Sequence, residues 1–435
     1  MDKPGGASEM DPHSTRNLAA VYSKDPFRFI TLGGLGSLAL VFAVLLLLRQ
    51  PFSLVDQPFP DAHEYINSAA RLAHGHGYTT TVRDNPFSPH RRQSVNPPRF
   101  PPGTSLILAP FGLVGHYPGN IEFGSRLVVV ALVIAAGWAA FVMAGWYAAL
   151  LAAFITSTSE FALVSTRVVM SDALAALLIV VSVPLMKMTS KRSLYPLGFL
   201  AGYGVVKIKM HSRWSVYLLG FLAGYGVVIR EGGVIVVACL LVVMTGWDRC
   251  RIAAGACLPI LGLAAYNWAT FGAPWQTGYT YWLGKFPFYS LSYVFKHPWP
   301  QSEAYYGEWL RVFHLVAYTH SGVIGLLPNI WFYPLILLGC SAVFGPPGFT
   351  LLGMIAAALW WRRREARFTL LVAALTAIFY MPNFTQDPRF MAGPCILLTV
   401  WASAAIVHLA RRVRNEYGQR ISEFLAPTLA RKVPV

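Results

Sequence analysis

Residues 125–145 read SRLVVVALVIAAGWAAFVMAG, with a single charge, Arg126, at the edge of an otherwise apolar run. About 20 consecutive apolar residues cross a bilayer as a helix, so this stretch is predicted to be a membrane span. Working outward, the same reading applies at 147–166, 171–187, 215–229, 233–247, 253–270, 346–361, 368–384 and 391–410. Ahead of them all lies another apolar stretch, from Ile30 to Leu48. No water-soluble core absorbs that much apolar chain. Composition agrees: of 435 residues 55% are hydrophobic and 12% charged, about half the charge of a soluble domain. The fold class expected is an all-α polytopic membrane protein with about ten transmembrane helices.

The formal net charge is +16, yet it does not call for nucleic acid. The basic residues gather in short segments between apolar ones: Lys187/Lys191/Arg192, Arg249/Arg251, Arg362 to Arg364 with Arg367, and Arg411/Arg412/Arg414. That is the pattern which fixes orientation by keeping Lys and Arg on the cytoplasmic side. It gives a cytoplasmic tail at 1–28, a transmembrane domain at 29–410 and a basic cytoplasmic tail at 411–435. The Ile30–Leu48 stretch is longer than a signal-peptide core and has no A-x-A site nearby, so it reads as a retained span. Two long loops then face outward, 49–124 and 271–345. The first is expected to carry short interfacial helices. The second is rich in Trp, Tyr and Phe, which form either an interfacial belt or a cleft for sugar or lipid. An integral protein of the plasma (inner) membrane, with its chemistry on the non-cytoplasmic face, is the localisation implied.

Two features stand apart from this pattern. The five cysteines have no CxxC or Cys/His spacing and read as small apolar residues. LGFLAGYGVV occurs at 197–206 and again at 219–228, with Lys207, Lys209 and Arg213 between the copies. A tandem duplication accounts for it, the first copy lying in the interface or forming an irregular insertion.

Acids are scarce, so their placement is informative. Asp56, Asp61, Glu64, Asp84, Glu122, Asp172, Glu231, Glu303, Glu308 and Asp387 all map to outer loops or outer span ends. Carboxylates at such depths are costly unless hydrated, paired or metal-bound, and their convergence points to one wet site. The local pattern at Pro60-Asp61-Ala62-His63-Glu64-Tyr65, running on to Gly75, is an amphipathic helix with Asp61, Glu64 and Tyr65 on one face. Asp61 with Glu64 also matches a capping box stopped at Gly75, and the two readings are compatible.

Asp61-x-x-x-Tyr65, then Ala69 and Gly75, then Phe100-Pro101-Pro102-Gly103 leading into SLILAPFGLVG, resemble the first outer loop of GT-C glycosyltransferases. The branch resembled is that of the protein O-mannosyltransferases and aminoarabinose transferases. Further motifs follow in order: Ser165 to Asp172, Arg230-Glu231-Gly232, Tyr266-Asn267 through Thr277-Gly278-Tyr279, and Asp387-Pro388-Arg389-Phe390. Asp61 is followed by Ala62, where many relatives carry a second acid. The resemblance spans roughly residues 30–415. It implies a hexosyl- or pentosyltransferase of the cell envelope, mannosyltransferase-like, that takes a sugar from a polyprenyl-phosphate carrier in the membrane lipid. The acceptor is a hydroxyl of a protein, lipid or glycan.

The resemblance also assigns roles. Asp61 is expected to be the catalytic base that removes the acceptor proton, with inversion at the sugar carbon. The lipid phosphate calls for arginines, drawn from Arg99, Arg126, Arg167, Arg230 and Arg389, each of which reads equally as an interfacial anchor. Glu64, Tyr65, Asp172, Glu231 and Asp387 are expected to line the substrates. A divalent cation, Mg or Mn, on Glu64 is a further expectation. His63, His74, His76 and His90 lie in the same loop, as solvated residues or added ligands. The alternative class is a transporter or lipid-linked sugar flippase, which would show matched halves and midplane charges. A non-catalytic scaffold would explain the spans but not acids and arginines paired on one face. The sequon at Asn383-Phe384-Thr385 falls at a span end and is set aside.

Overall fold

In hydrocarbon the backbone finds no partners but its own, so apolar segments fold as helices. The computed structural model describes residues 60–81, 95–114, 119–190, 212–283, 289–296, 324, 327–383 and 386–430. The N-terminal tail, the span at Ile30–Leu48, Asp56, Asp84, His90, Glu303, Glu308 and the first LGFLAGYGVV copy lie outside the described residues. Two helices come from the first long loop, α1 (Pro60–Ala73) and α2 (Gly103–Gly112). The bundle then begins with α3 (Gly119–Ala144), α4 (Trp146–Thr158), α5 (Glu160–Ser165), α6 (Ser171–Ser190) and α7 (Ser212–Ile229). A 3-10 turn, Glu231–Gly233, leads to α8 (Val234–Val243), followed by α9 (Trp247–Phe271). The short α10 (Gly278–Leu283) and α11 (Ser292–Phe295) precede α12 (Asn329–Leu337), α13 (Phe349–Leu359) and α14 (Arg364–Tyr380). A last 3-10 turn, Pro388–Met391, opens α15 (Ala392–Ala430).

Among the described residues four helices are long and apolar enough to cross a membrane: Gly119–Ala144, Ser171–Met188, Trp247–Phe271 and Pro388–Tyr417. The chain is therefore helical and membrane-type, while the full set of about ten crossings expected from sequence is not shown. Among the described residues, the spans predicted at 147–166, 215–229, 233–247 and 346–361 appear as shorter apolar helices, and 368–384 falls largely on α14. The stretch 147–166 breaks at Ser159, whose extended backbone (ψ 144°) and hydroxyl, accepting the Ala162 N–H at 3.2 Å, end α4 and start α5. A serine that caps a new helix competes with continuing the old one. Conversely, α12 forms within a stretch read as outer loop. Its Phe332, Tyr333 and Ile336 are fully buried. The run is too short to span, and Pro334 interrupts it.

Two packing devices hold the bundle. Ala135, Ala136, Ala139 and Ala140 on α3 are buried against the core shared with α4, α6 and α15. Small side chains let membrane helices approach closely, where dispersion replaces the hydrophobic drive. The second device joins α7 to α9 through the second copy of the repeat. A Cβ on Gly224 would stand 2.7 Å from the Cα of Ala256, and Gly220 lies equally close to Ile252. Only glycine fits there. Gly224→Leu is expected to separate α7 from α9 and cost at least about 1–3 kcal/mol, read as a lowered melting temperature in detergent. An unchanged melting temperature would show that the close contact does not hold the bundle.

Candidate active site

α1 is a loop helix, and apolar contact fixes it on the bundle. Ala62, Tyr65, Ile66, Ala69 and Ala70 bury one face against Phe100, Leu108, Ile121 and Val168 to Met170. The helix ends where Gly75 (φ +77°) and Gly77 (φ +71°) enter the left-handed region. The returning strand-like segment at 95–102 is clamped at several points. Tyr78 donates its hydroxyl to the carbonyls of Phe100 (2.9 Å) and Pro101 (3.1 Å), and Trp282 donates to Pro97 (2.7 Å). A Cβ on Gly278 would meet the Arg99 carbonyl carbon at 2.8 Å, so the glycine lets α10 press on this segment.

These clamps deliver Arg99 to the acids of α1. Its Nη2 lies 2.7 Å from Asp61 Oδ1, and its Nε is 3.8 Å from Glu64 Oε2. Glu64 Oε1 accepts the backbone N–H of Arg99 and, at 3.4 Å, that of Phe100. Glu64, which a capping box would turn back on its own helix, thus ties α1 to a segment 35 residues away. Burial pushes the Glu64 carboxyl above its usual range, with the Arg99 charge and N–H pulling back. The guanidinium also sits over the Phe100 ring (4.4 Å), and Phe100 stacks on Tyr65 (4.7 Å) and meets Tyr279 edge-on (5.6 Å).

Tyr65 connects this cluster to a second one. Its hydroxyl lies near Ser171 and within the field of Arg230. Asp172, buried at the head of α6, pairs with Arg230 at the end of α7. The Arg230 guanidinium covers Phe390 (4.5 Å), which stacks on Tyr380 (4.3 Å). Asp387 grips Arg389 through Nη2, through Nε at 2.8 and 2.9 Å, and through its backbone N–H at 2.9 Å. Burial pushes the Asp387 carboxyl up, but the Arg389 charge and hydrogen bonds outweigh it and hold the group below its usual value. Arg230 and Arg389 are near enough to repel each other. Both line a cavity of about 50 Å³ that runs from their charged mouth between apolar residues of α6, α7, α8 and α15, such as Ile179, Leu222 and Val236. Glu231 follows Arg230 in the chain and lies near Thr277.

The predicted residues Asp61, Glu64, Tyr65, Arg99, Asp172, Arg230, Glu231, Asp387 and Arg389 are therefore brought to one end of the bundle. Arg167 is exposed in the turn after α5, and Arg126 is buried in α3, donating to the Thr166 carbonyl at 3.0 Å. The divalent ion expected on Glu64 does not fit the donors present. Asp61 and Glu64 already hold a guanidinium, and no set of three or more His, Cys, Asp or Glu side chains forms a cage among the described residues. His63 and His74 are exposed or half-exposed on α1 or its end. Phe100, Tyr279, Tyr380 and Phe390 build the site's walls without having been singled out as site residues. Phe100, Tyr279 and Phe390 lay inside the quoted motifs and Tyr380 in the predicted span 368–384, but aromatics are common at membrane interfaces.

No protein-family model and no curated protein sequence matches the chain. The fold, however, is similar to solved structures. The crystal structure of the Archaeoglobus fulgidus oligosaccharyltransferase tethered with an acceptor peptide containing the NVT sequon superposes with a TM-score of 0.52 at 13% identity. That likeness covers 92% of this chain and 52% of the other. The archaeal oligosaccharyltransferase AglB from Archaeoglobus fulgidus, in complex with an inhibitory peptide and a dolichol-phosphate, gives 0.50 at 14% identity, over 90% and 52%. This chain thus has a fold similar to part of those two membrane proteins and spans about half the length of either.

The Asp387–Arg389 hook gives a pH signature. A depressed folded pKa contributes stability that is present above the unfolded carboxylate value, about 3.9, and is lost as pH falls through the folded value. Asp387→Asn is expected to melt lower than wild type at pH 7, by about 3 kcal/mol for a broken buried pair. The two melting curves should converge only below about pH 4. A gap that stays constant down to pH 3 would mean that the ion pair contributes nothing.

Proposed function

We propose that the chain is a membrane glycosyltransferase that moves a sugar from a polyprenyl-phosphate carrier to an acceptor hydroxyl of a protein, lipid or glycan on the non-cytoplasmic face. The observation that carries this reading is the end of the bundle where the Asp61–Arg99, Asp172–Arg230 and Asp387–Arg389 pairs gather, with Arg230 and Arg389 lining an apolar cavity of about 50 Å³. Guanidiniums suit the oxygens of a lipid phosphate, and the apolar walls of the small cavity beside them suit the first part of its tail. The dolichol-phosphate and acceptor peptide named for the fold neighbours support the coarser pair, a lipid-linked donor and a peptide acceptor.

In this reading Arg230 and Arg389 bind the phosphate, each kept in place by its own carboxylate, Asp172 or Asp387. The acceptor oxygen attacks the anomeric carbon from the side opposite the phosphate. The new C–O bond forms as the bond to phosphate breaks, which inverts that centre, and Asp61 takes the hydroxyl proton. Tyr65, Glu231 and Tyr279 line the space between. The arginines neutralise charge that grows on the leaving phosphate, a contribution made mainly in the transition state.

Transfer from a panel of radiolabelled polyprenyl-phosphate sugars in membranes tests the reading. Asp61→Asn at equal expression is expected to lose about 10²–10⁴-fold in rate, and Arg230→Ala to lose donor affinity as well. Equal transfer by wild type and Asp61→Asn removes Asp61 from catalysis. Failure of every donor, with lipid flipping detected instead, would favour a flippase.

A further inference from the structure

We propose that Arg99 takes the place of a divalent cation between Asp61 and Glu64, so that transfer by this chain needs no metal ion. The inference rests on the reading of Asp61 as the base and assigns the group that positions it.

Asp61 and Glu64 lie three residues apart on α1 and face the same neighbour. Carboxylates so placed would approach a Mg or Ca ion at about 2.0–2.6 Å. What stands between them is a guanidinium, 2.7 Å from one carboxylate and 3.8 Å from the other. It belongs there structurally. The Phe100 ring supports its plane, the Glu64 carboxylate holds its backbone N–H, and Gly278 and Trp282 press on the adjoining chain. Arg99 is only 18% exposed in its side chain, so its charge acts with little screening by water. A metal ion entering would have to displace this cation, and it would find two carboxylates and no third ligand of that kind among the described residues.

The guanidinium supplies part of what an ion would. It holds two like charges on one helix turn and fixes Asp61 in one rotamer with an oxygen left for the acceptor proton. It differs in being permanent, since arginine keeps its proton at any working pH and no chelator extracts it. Arg99 acts through Asp61 and is therefore a positioning residue.

Two readouts on the full-length protein in detergent test this, and only one needs activity. Mn²⁺ binding, followed by electron paramagnetic resonance, is expected to be absent at this site in wild type. It should appear in Arg99→Met and vanish again in the Arg99→Met/Asp61→Asn double variant. Transfer by wild type is expected to resist chelator, while Arg99→Met loses transfer and regains part of it with Mn²⁺. Arg99→Lys, which keeps a cation, should remain chelator-resistant.

Wild-type transfer abolished by chelator and restored by Mn²⁺ would overturn the inference. So would wild-type Mn²⁺ binding that Asp61→Asn removes, or a folded Arg99→Met that gains none. If Arg99→Met does not fold, the wild-type and Arg99→Lys measurements still decide. If no donor is used at all, the function reading fails while Mn²⁺ binding still tests the role of Arg99.

Discussion

A charge in a low-dielectric interior must be paired, because an unpaired one costs several kcal/mol that no packing returns. The contact between Arg99 and the acids of α1 meets that constraint, and much of the site depends on it. It joins the loop helix to the 95–102 segment, which in turn lies under α10 and beside the end of α7. Remove Arg99 and two half-buried carboxylates one helix turn apart lose the cation between them. The same rule repeats at Asp172 with Arg230 and at Asp387 with Arg389. Three such pairs at one end of an otherwise apolar bundle make a polar floor for chemistry.

The membrane class was legible because it follows from a one-dimensional property, the length of apolar runs. Residues 125–145 illustrate this, falling wholly within Gly119–Ala144 but for Gly145. Where run length misled, a local competitor explains it. Ser159 caps a new helix and divides one predicted span, and α12 is buried by tertiary packing although it is too short to read as a span. The acids of the site were legible because so few occur. Their partners were not, since Arg99 meets Asp61 across 38 residues and Arg230 meets Asp172 across 58. Nor did spacing indicate that the cation beside Glu64 would be a side chain rather than an ion.

Fold and site bear on function differently. The likeness to the oligosaccharyltransferases, at 13–14% identity, concerns the path of the chain and not its chemistry. On the proposed reading the chemistry belongs at Arg230 and Arg389, which line an apolar cavity. A slot lined by Ile179, Leu222 and Val236 alone would suit any lipid tail. On the proposed reading, arginines gripped by carboxylates at its end would select for a tail that carries an anion. The carboxylates also keep the empty site from being a bare cluster of like charges.

The occupant of that slot is the most direct test. A photoreactive polyprenyl-phosphate, cross-linked in membranes and mapped by mass spectrometry, should label residues of the slot such as Ile179, Leu222 or Phe390, and should lose that labelling when Arg230 is replaced by Ala. Labelling confined to the exposed face of α9, at Leu261 or Trp268, and indifferent to Arg230→Ala would show that the lipid meets only the outside of the bundle, contradicting a donor site beside Asp61.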